Sequence, residues 1–255
     1  MIRVGAIVQA RMSSVRLPGK VLCEVSGRPL LAFLLERVAC SKMIGKVVLA
    51  TSEDRQDDPV AFCAESLGFS VYRGSLEDVL DRFYQTATAH GLEHVVRITG
   101  DCPLIDPEIC DRLIDLYFSG NFDYARTAPS FAEGLDCEIL SYEALSKAHA
   151  QAKLRSEREH VTLYVRNHPE MFRAVELVNA SDEGHYRVTV DNPEDLEVMR
   201  ELVTHFVGLR GALTVSWPQV RAFLDKHPGT ARKNSHLERN EGLKKSLMND
   251  GICHG

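Results

Sequence analysis

An α/β fold around a mostly parallel sheet is predicted for this 255-residue chain by three observations. Short apolar, β-branched runs alternate with helix-length stretches through the first half, the pattern of successive βαβ units. Several of those runs end in charged or glycine-containing loops, where ligands sit in open parallel sheets. The length is sufficient to bury a full α/β core, as one domain or a domain with an appendage.

The elements follow in order. Val4 to Val8 reads as a buried first strand, and Pro29 to Ala39 as a helix with its proline in the first turn. Lys46 to Thr51 is the next strand, and a helix from about Pro59 to Leu67 is closed by Gly68. A short strand at Val71-Tyr72 leads into Arg73-Gly74-Ser75, then a helix runs from about Glu77 to His90 with Gly91 at its end. His94 to Thr99 is another buried strand, ending in Gly100-Asp101, and Pro107 opens a helix to about Phe118.

The pattern changes after Gly120. Short strands near Tyr124 and Ile139, a charged helix over about 156–167 and a strand at Ala174 to Val178 predict an insertion at about 120–180. The main sheet is expected to resume at Tyr186 to Val190. Asn192, Pro193, Glu194 and Asp195 then form a coherent start signal for a helix to about Phe206. One domain is expected over 1–228. The polar stretch 229–255 lacks apolar periodicity and reads as a mobile tail.

Apolar content of 44% and charged content of 26% are those of an ordinary globular protein. A net charge of −6 argues against a general nucleic-acid binder but allows a local basic site for a small polyanion. No apolar run approaches the ~20 residues of a membrane span. The N-terminus carries no signal-peptide pattern, so a cytoplasmic protein is expected. Seven cysteines, Cys23, Cys40, Cys63, Cys102, Cys110, Cys137 and Cys253, are odd in number and scattered, without a C-x-x-C pair. Neither a zinc site nor a disulfide framework is expected, and most of them read as small core residues.

Chemistry gathers first in the loop after the first strand. Arg11, Arg16 and Lys20 place three cations there with Ser13 and Ser14 between them. The loop lacks the glycines and the Lys-Ser/Thr ending of a Walker A motif, so side chains must carry the anion recognition. A solvated basic turn punctuated by Pro18-Gly19 is the alternative. Asp101 and Asp191 each follow an apolar run. Alone, one reads as a turn residue and the other as part of a helix cap. Together, opposite three cations, they fit a nucleoside triphosphate and a Mg²⁺ held by one or two carboxylates.

In those residues the chain resembles the cytidylyltransferase family that includes the synthetases of CMP-KDO and CMP-sialic acid, and most of all its spore coat polysaccharide biosynthesis protein F group. The segments AIVQARMSSVRLPGKVL, VVLATSEDRQDDPV, YRGSLEDVLDRF, VVRITGDCPLIDP, EGLDCEILSYEAL, EREHVTLYVRNHPE and VTVDNPEDLEVM carry the likeness from Ile2 to about Lys226. The resemblance implies a GT-A-like (Rossmann-like) nucleotide-diphospho-sugar transferase fold, with an inserted dimerisation and acceptor subdomain. It implies CMP transfer from CTP to a sugar acid or related anionic acceptor, with release of pyrophosphate, in cell-surface glycan biosynthesis.

By the same likeness Ala10, Arg11, Ser13, Ser14, Arg16 and Lys20 would hold the triphosphate. Arg73 and Ser75 would line the cytidine pocket, with Asp78 and Arg82 nearby, and Asp101 and Asp191 would bind Mg²⁺. The middle of the chain departs from the CMP-KDO pattern. There Arg158 and His160 could pair with an acceptor anion, and Asp136 and Glu138 could accept from hydroxyls or an amine, against a plain reading of 157–160 as a solvated helix face. The likeness also implies a homodimer formed through the insertion, whose strands a single sheet would leave as edges.

Such a reaction needs positioning and charge neutralisation more than covalent work. Arg11, Lys20, Asp101 and Asp191 are the expected catalytic set. A glycosyltransferase of the same fold is the competing enzyme, but Asp101-Cys102-Pro103 is not its usual D-x-D pair. A non-catalytic nucleotide-binding subunit of glycan assembly is the other alternative, and it would be expected to have lost one of the two aspartates.

Overall fold

The computed structural model describes residues 4–207 and 214–252. Residues 253–255, with Cys253, lie outside them.

A seven-stranded sheet organises the molecule. Its strands are β1 (Val4–Gln9), β4 (Lys46–Ser52), β5 (Ser70–Gly74), β6 (His94–Thr99), β7 (Tyr124–Thr127), β8 (Glu138–Ser141) and β9 (Ala174–Leu177), in the order β5-β4-β1-β6-β8-β7-β9. β2 (Glu24–Val25) and β3 (Arg28–Pro29) form a separate small hairpin. β1 pairs in parallel with both β4 and β6. The chain therefore winds outward from β1 in one direction and starts again on its other side at β6. That reversal opens a crevice at the carboxyl ends of β1 and β6, the ligand position of open α/β sheets.

Helices cover both faces. Ala6 and Val8 of β1 pack with Leu31, Leu34 and Leu35 of α1 (Leu30–Ala39) and Leu113 of α4 (Pro107–Phe118), with α2 (Asp58–Ser66) on the same side. Ile7, pointing the other way, meets Leu80 and Phe83 of α3 (Val79–His90) and Leu145 of α5 (Tyr142–Gln151). This alternation explains why β1 is a continuous apolar run: both of its faces are buried. A further apolar cluster joins Leu30 and Phe33 of α1 to Leu196, Met199 and Leu202 of α8 (Pro193–Phe206) and Trp217 of α9 (Trp217–Lys226). Each such side chain contributes about 1.5–3 kcal/mol on full burial.

The insertion does not form a separate layer. β8 pairs antiparallel with β6 and β7 pairs antiparallel with β8, so its strands extend the main sheet to the edge strand β9. The single charged helix expected over 156–167 is two, α6 (Arg155–Glu159) and α7 (Leu163–Asn167), broken where Val161 adopts φ +47°. Tyr186 to Val190, expected as a strand, makes only an isolated bridge between Arg187 and Glu133. Instead it is held by single contacts. Val188 N donates to Glu133 O, and Val190 N donates to Asp101 O at 2.8 Å. The approach is so close that a Cβ at Gly134 (φ +104°) would lie 2.5 Å from Thr189 N.

The stretch expected as a mobile tail is folded across 228–252. α10 (Pro228–Arg232) and α11 (Glu241–Ile252) bracket a segment with Asn234 buried against Arg187 O and Asp195. Its polarity serves hydrogen bonds to the body of the protein, so it lacked the apolar periodicity that marks a packed helix.

Candidate active site

The crevice contains a cavity of about 490 Å³. Its first wall is the loop after β1. Met12 anchors that loop by donating its N–H to Asp57 Oδ1 at 2.7 Å, and Gly19 N donates to Met12 O at 2.9 Å. Gly19, at φ +69°, turns the chain into the short helical turn Lys20–Leu22. Ala10, Arg11, Ser13, Ser14, Arg16 and Lys20 all line the cavity. The opposite wall begins at Gly100, where a Cβ would lie 2.7 Å from Gln9 O, so only glycine lets the ends of β1 and β6 approach so closely.

Asp101 follows, and the segment after Tyr186 delivers Asp191 beside it through the Val190–Asp101 hydrogen bond. Lys20 Nζ lies between the two carboxylates, 2.9 Å from Asp101 Oδ2 and 2.6 Å from Asp191 Oδ1. Arg16 reaches Asp191 Oδ1 at 3.0 Å. Burial by itself would lower the Lys20 pKa, but Asp101 and Asp191 more than offset it and raise it. Burial would raise the Asp101 pKa, yet Lys20 holds it well below the usual carboxylate range. Lys20 and Asp101 are therefore both charged at neutral pH. Asp191 is braced from behind by Arg187, which also pairs with Asp195 at 2.7 Å and Glu133 at 2.5 Å.

Several polar atoms around the cavity have no hydrogen-bond partner among the described residues. Gln9 Oε1, Arg82 Nε, Arg97 Nε and His160 Nε2 are each buried without a hydrogen bond among the described residues, and all four residues line the cavity. Buried polar atoms are rarely left so, which marks the cavity as built for a polar ligand. Burial, helped by the nearby Arg11 charge, lowers the Arg82 pKa to about 10. Two crowded guanidinium groups of this kind are stabilised by an anion. Burial, then the charge of Arg97, lowers the His160 pKa and keeps its ring neutral at pH 7.

Other expected site residues are engaged elsewhere. Arg73 turns away from the cavity to brace the 52–58 loop, donating to Ser52 O at 2.9 Å, Asp54 O at 2.8 Å and Asp58 Oδ1 at 2.6 Å. Ser75 Oγ accepts from Asp78 N, and Asp78 caps α3 by accepting from Asp81 N. Asp78 is also held by Arg158, whose Nη1 donates to His149 O. Ser75, Asp78 and Arg158 thus secure the start of α3, and none of the four residues lines the cavity. Asp136 pairs with Arg239 at 2.8 Å, outside the cavity. Glu138 is a buried acceptor for Arg97, the Tyr124 hydroxyl and Thr162, so it positions Arg97 and meets no ligand itself. Of the four acceptor candidates, only His160 faces the cavity.

Arg97, Thr99, Arg155, Lys245 and Asn249 line it without having been expected to. A charged residue inside the apolar strand run HVVRIT was the available signal for Arg97. The C-terminal residues gave none.

The family model described as "Cytidylyltransferase" matches residues 5–226. The chain belongs to the cytidylyltransferase family. A solved cytidylyltransferase from Leptospira borgpetersenii superposes with a TM-score of 0.85 at 34% identity, covering 91% of this chain and 97% of that one. The spore coat polysaccharide biosynthesis protein SpsF of Bacillus subtilis is 39% identical over 206 residues, 77% of this chain and 84% of SpsF. A 3-deoxy-manno-octulosonate cytidylyltransferase of Geobacter sulfurreducens is 35% identical over 113 residues, 44% of each chain. As a member of the cytidylyltransferase family the protein is a CTP-dependent nucleotidyltransferase with the Rossmann-like fold of that family.

Proposed function

We propose that this cytidylyltransferase moves CMP from CTP to an anionic sugar acceptor, releasing pyrophosphate, in the synthesis of a surface polysaccharide. The observation that carries this reading is the placement of Arg11, Arg16, Lys20 and Arg82 around one cavity, facing Asp101 and Asp191. The likeness to SpsF and to a 3-deoxy-manno-octulosonate cytidylyltransferase supports both the acceptor class and the pathway.

Two carboxylates converging on one ammonium offer the oxygen donors of a hard cation. Among the described residues no cluster of three or more His, Cys, Asp or Glu could hold a metal. The pair would hold Mg²⁺ through two carboxylates and leave the rest of its ligands to come from outside the protein. When bound there, Mg²⁺ supplies charge neutralisation for the triphosphate. Asp101 and Asp191 would hold it.

The protein's own groups do the rest. Arg11, Arg16 and Arg82 fix the phosphate chain, and Lys20 turns from the carboxylates toward it. An acceptor oxygen attacks the α-phosphorus in line, its new bond to phosphorus forming as the bond to the bridging oxygen breaks and pyrophosphate leaves. No enzyme nucleophile is needed. Arg97, Arg155 and His160, along the wall formed by β6 and α6, would receive the anionic acceptor. The six described cysteines are free, and a cytoplasmic location is part of this proposal.

Pyrophosphate release is expected with CTP, Mg²⁺ and at least one sugar acid from a panel that includes 3-deoxy-manno-octulosonate, with ATP, GTP and UTP much weaker. Equal thermal shifts for all four nucleotides would remove the cytidine assignment. Ligand at ~100 times its Kd adds about 2.7 kcal/mol of stability, enough to read.

The protein is further proposed to be a homodimer. The edge strand β9 and the exposed Val178 beside it leave backbone and apolar surface of the kind that pairing covers. Light scattering at micromolar concentration is expected to give twice 28.5 kDa, and the monomer mass would overturn the proposal.

A further inference from the structure

Helix α11 docks with its polar side inward. Leu247 and Met248 are 45% and 68% exposed, whereas Gly242, Lys245, Ser246 and Asn249 face the cavity. The spacing i, i+3, i+4, i+7 is one helical face. A helix held by apolar burial would present its hydrophobic side instead, so polar contacts hold this one. Ser246 Oγ donates to Glu159 Oε2 at 2.8 Å, and Ser156 N donates to Asp250 Oδ1 at 3.2 Å.

The third contact lies in the phosphate-binding loop. One oxygen of Glu241 accepts from Arg16 Nη1, and the other pairs with Lys245 Nζ at 2.5 Å. A single carboxylate thus bridges two cations at the wall of an anion site. A phosphoryl group makes the same bridge, with more charge and more acceptor oxygens. Lys245 and then Arg16 lower the Glu241 pKa, so the stand-in is ionised at neutral pH.

We propose that Glu241 occupies the place of a nucleotide phosphoryl group, and that Lys245 is a further phosphate ligand that takes hold of the triphosphate when Glu241 is displaced. This rests on the reading of the cavity as a CTP site. Binding exchanges one anion for another between Arg16 and Lys245, while Ser246 and Asp250 keep α11 attached. A mere i,i+4 pair on a helix would add a few tenths of a kcal/mol to helix stability and leave nucleotide affinity alone.

Calorimetric titration of the full-length protein with CTP and with CMP, in Mg²⁺, separates the two. Glu241→Gln is expected to tighten CTP by ~3–10-fold because the competing anion is gone, and Lys245→Ala to weaken it by about 10-fold. Lys245→Arg should recover most of that loss. CMP, which lacks the outer phosphates, should change by less than about 2-fold in every variant. Unchanged or weaker CTP binding by Glu241→Gln overturns the stand-in. Equal losses of CTP and CMP in Lys245→Ala reduce that residue to a helix support and overturn its role as ligand. A parent protein that binds no CTP removes the nucleotide reading itself, whereas a parent that binds CTP beside silent variants removes only this inference.

Discussion

Asp101→Asn is expected to abolish most turnover while leaving the fold in place. The amide matches the carboxylate in size, and Lys20 keeps its shorter contact, to Asp191 at 2.6 Å. The melting temperature should move by no more than a few degrees. The substitution removes one of the two carboxylates that converge on Lys20, and a neutral amide is a poor ligand for a hard cation. If ~3 kcal/mol of transition-state stabilisation is lost, the rate of pyrophosphate release falls on the order of 10²-fold. Parent-like turnover in a variant of matched melting temperature would show that the reaction centre lies elsewhere. Asp191→Asn carries a second expectation. It should cost turnover in the same way if Asp191 faces the metal, but only stability if its part is confined to the start of α8.

The sequence reading was strongest where chemistry followed directly from a strand end. The cationic loop comes straight after β1 and Asp101 straight after β6, so the parallel pairing of those strands brings them together by topology alone. Arg73 also lies near a strand's carboxyl end, in β5, two positions from β1 in the sheet. A charge at a strand end does not say which way its side chain turns, and here the carbonyls of Ser52 and Asp54 were nearer partners than any ligand. Likewise Asp78 and Arg158 are complementary charges far apart in sequence, and nothing local shows that they meet.

Tyr186 to Val190 alternates like a strand, yet it threads between Gly134 and Asp101 and finds only isolated bonds. Its function is to carry Asp191 to the site. The C-terminal segment was hardest to read, because its helix is fastened by polar contacts and turns Leu247 and Met248 to solvent. The usual rule that apolar spacing marks the docked face has no purchase there.

Arg187→Met is expected to have the largest effect on stability. The guanidinium is buried and joins three carboxylates, those of Asp195, Glu133 and Asp191. Asp195 is fully buried and also accepts from Asn192 N and Asn234 Nδ2, so it ties the start of α8 to the C-terminal segment. Methionine fills most of the volume but leaves two buried acids without a cation, which costs about 3–5 kcal/mol when a buried pair is broken on one side. Burial already raises the Glu133 pKa against the pull of Arg187, and without that cation it must rise further. An acid with a raised folded-state pKa costs stability above its unfolded value, and the cost vanishes as pH falls through the folded value. The deficit of the variant, measured by urea unfolding, should therefore be greatest near about pH 7.5 and narrower near about pH 5. Turnover should fall as well, since Asp191 loses the brace behind it. A deficit below about 1 kcal/mol, or one that widens on acidification, would show that Arg187 does not hold this network together.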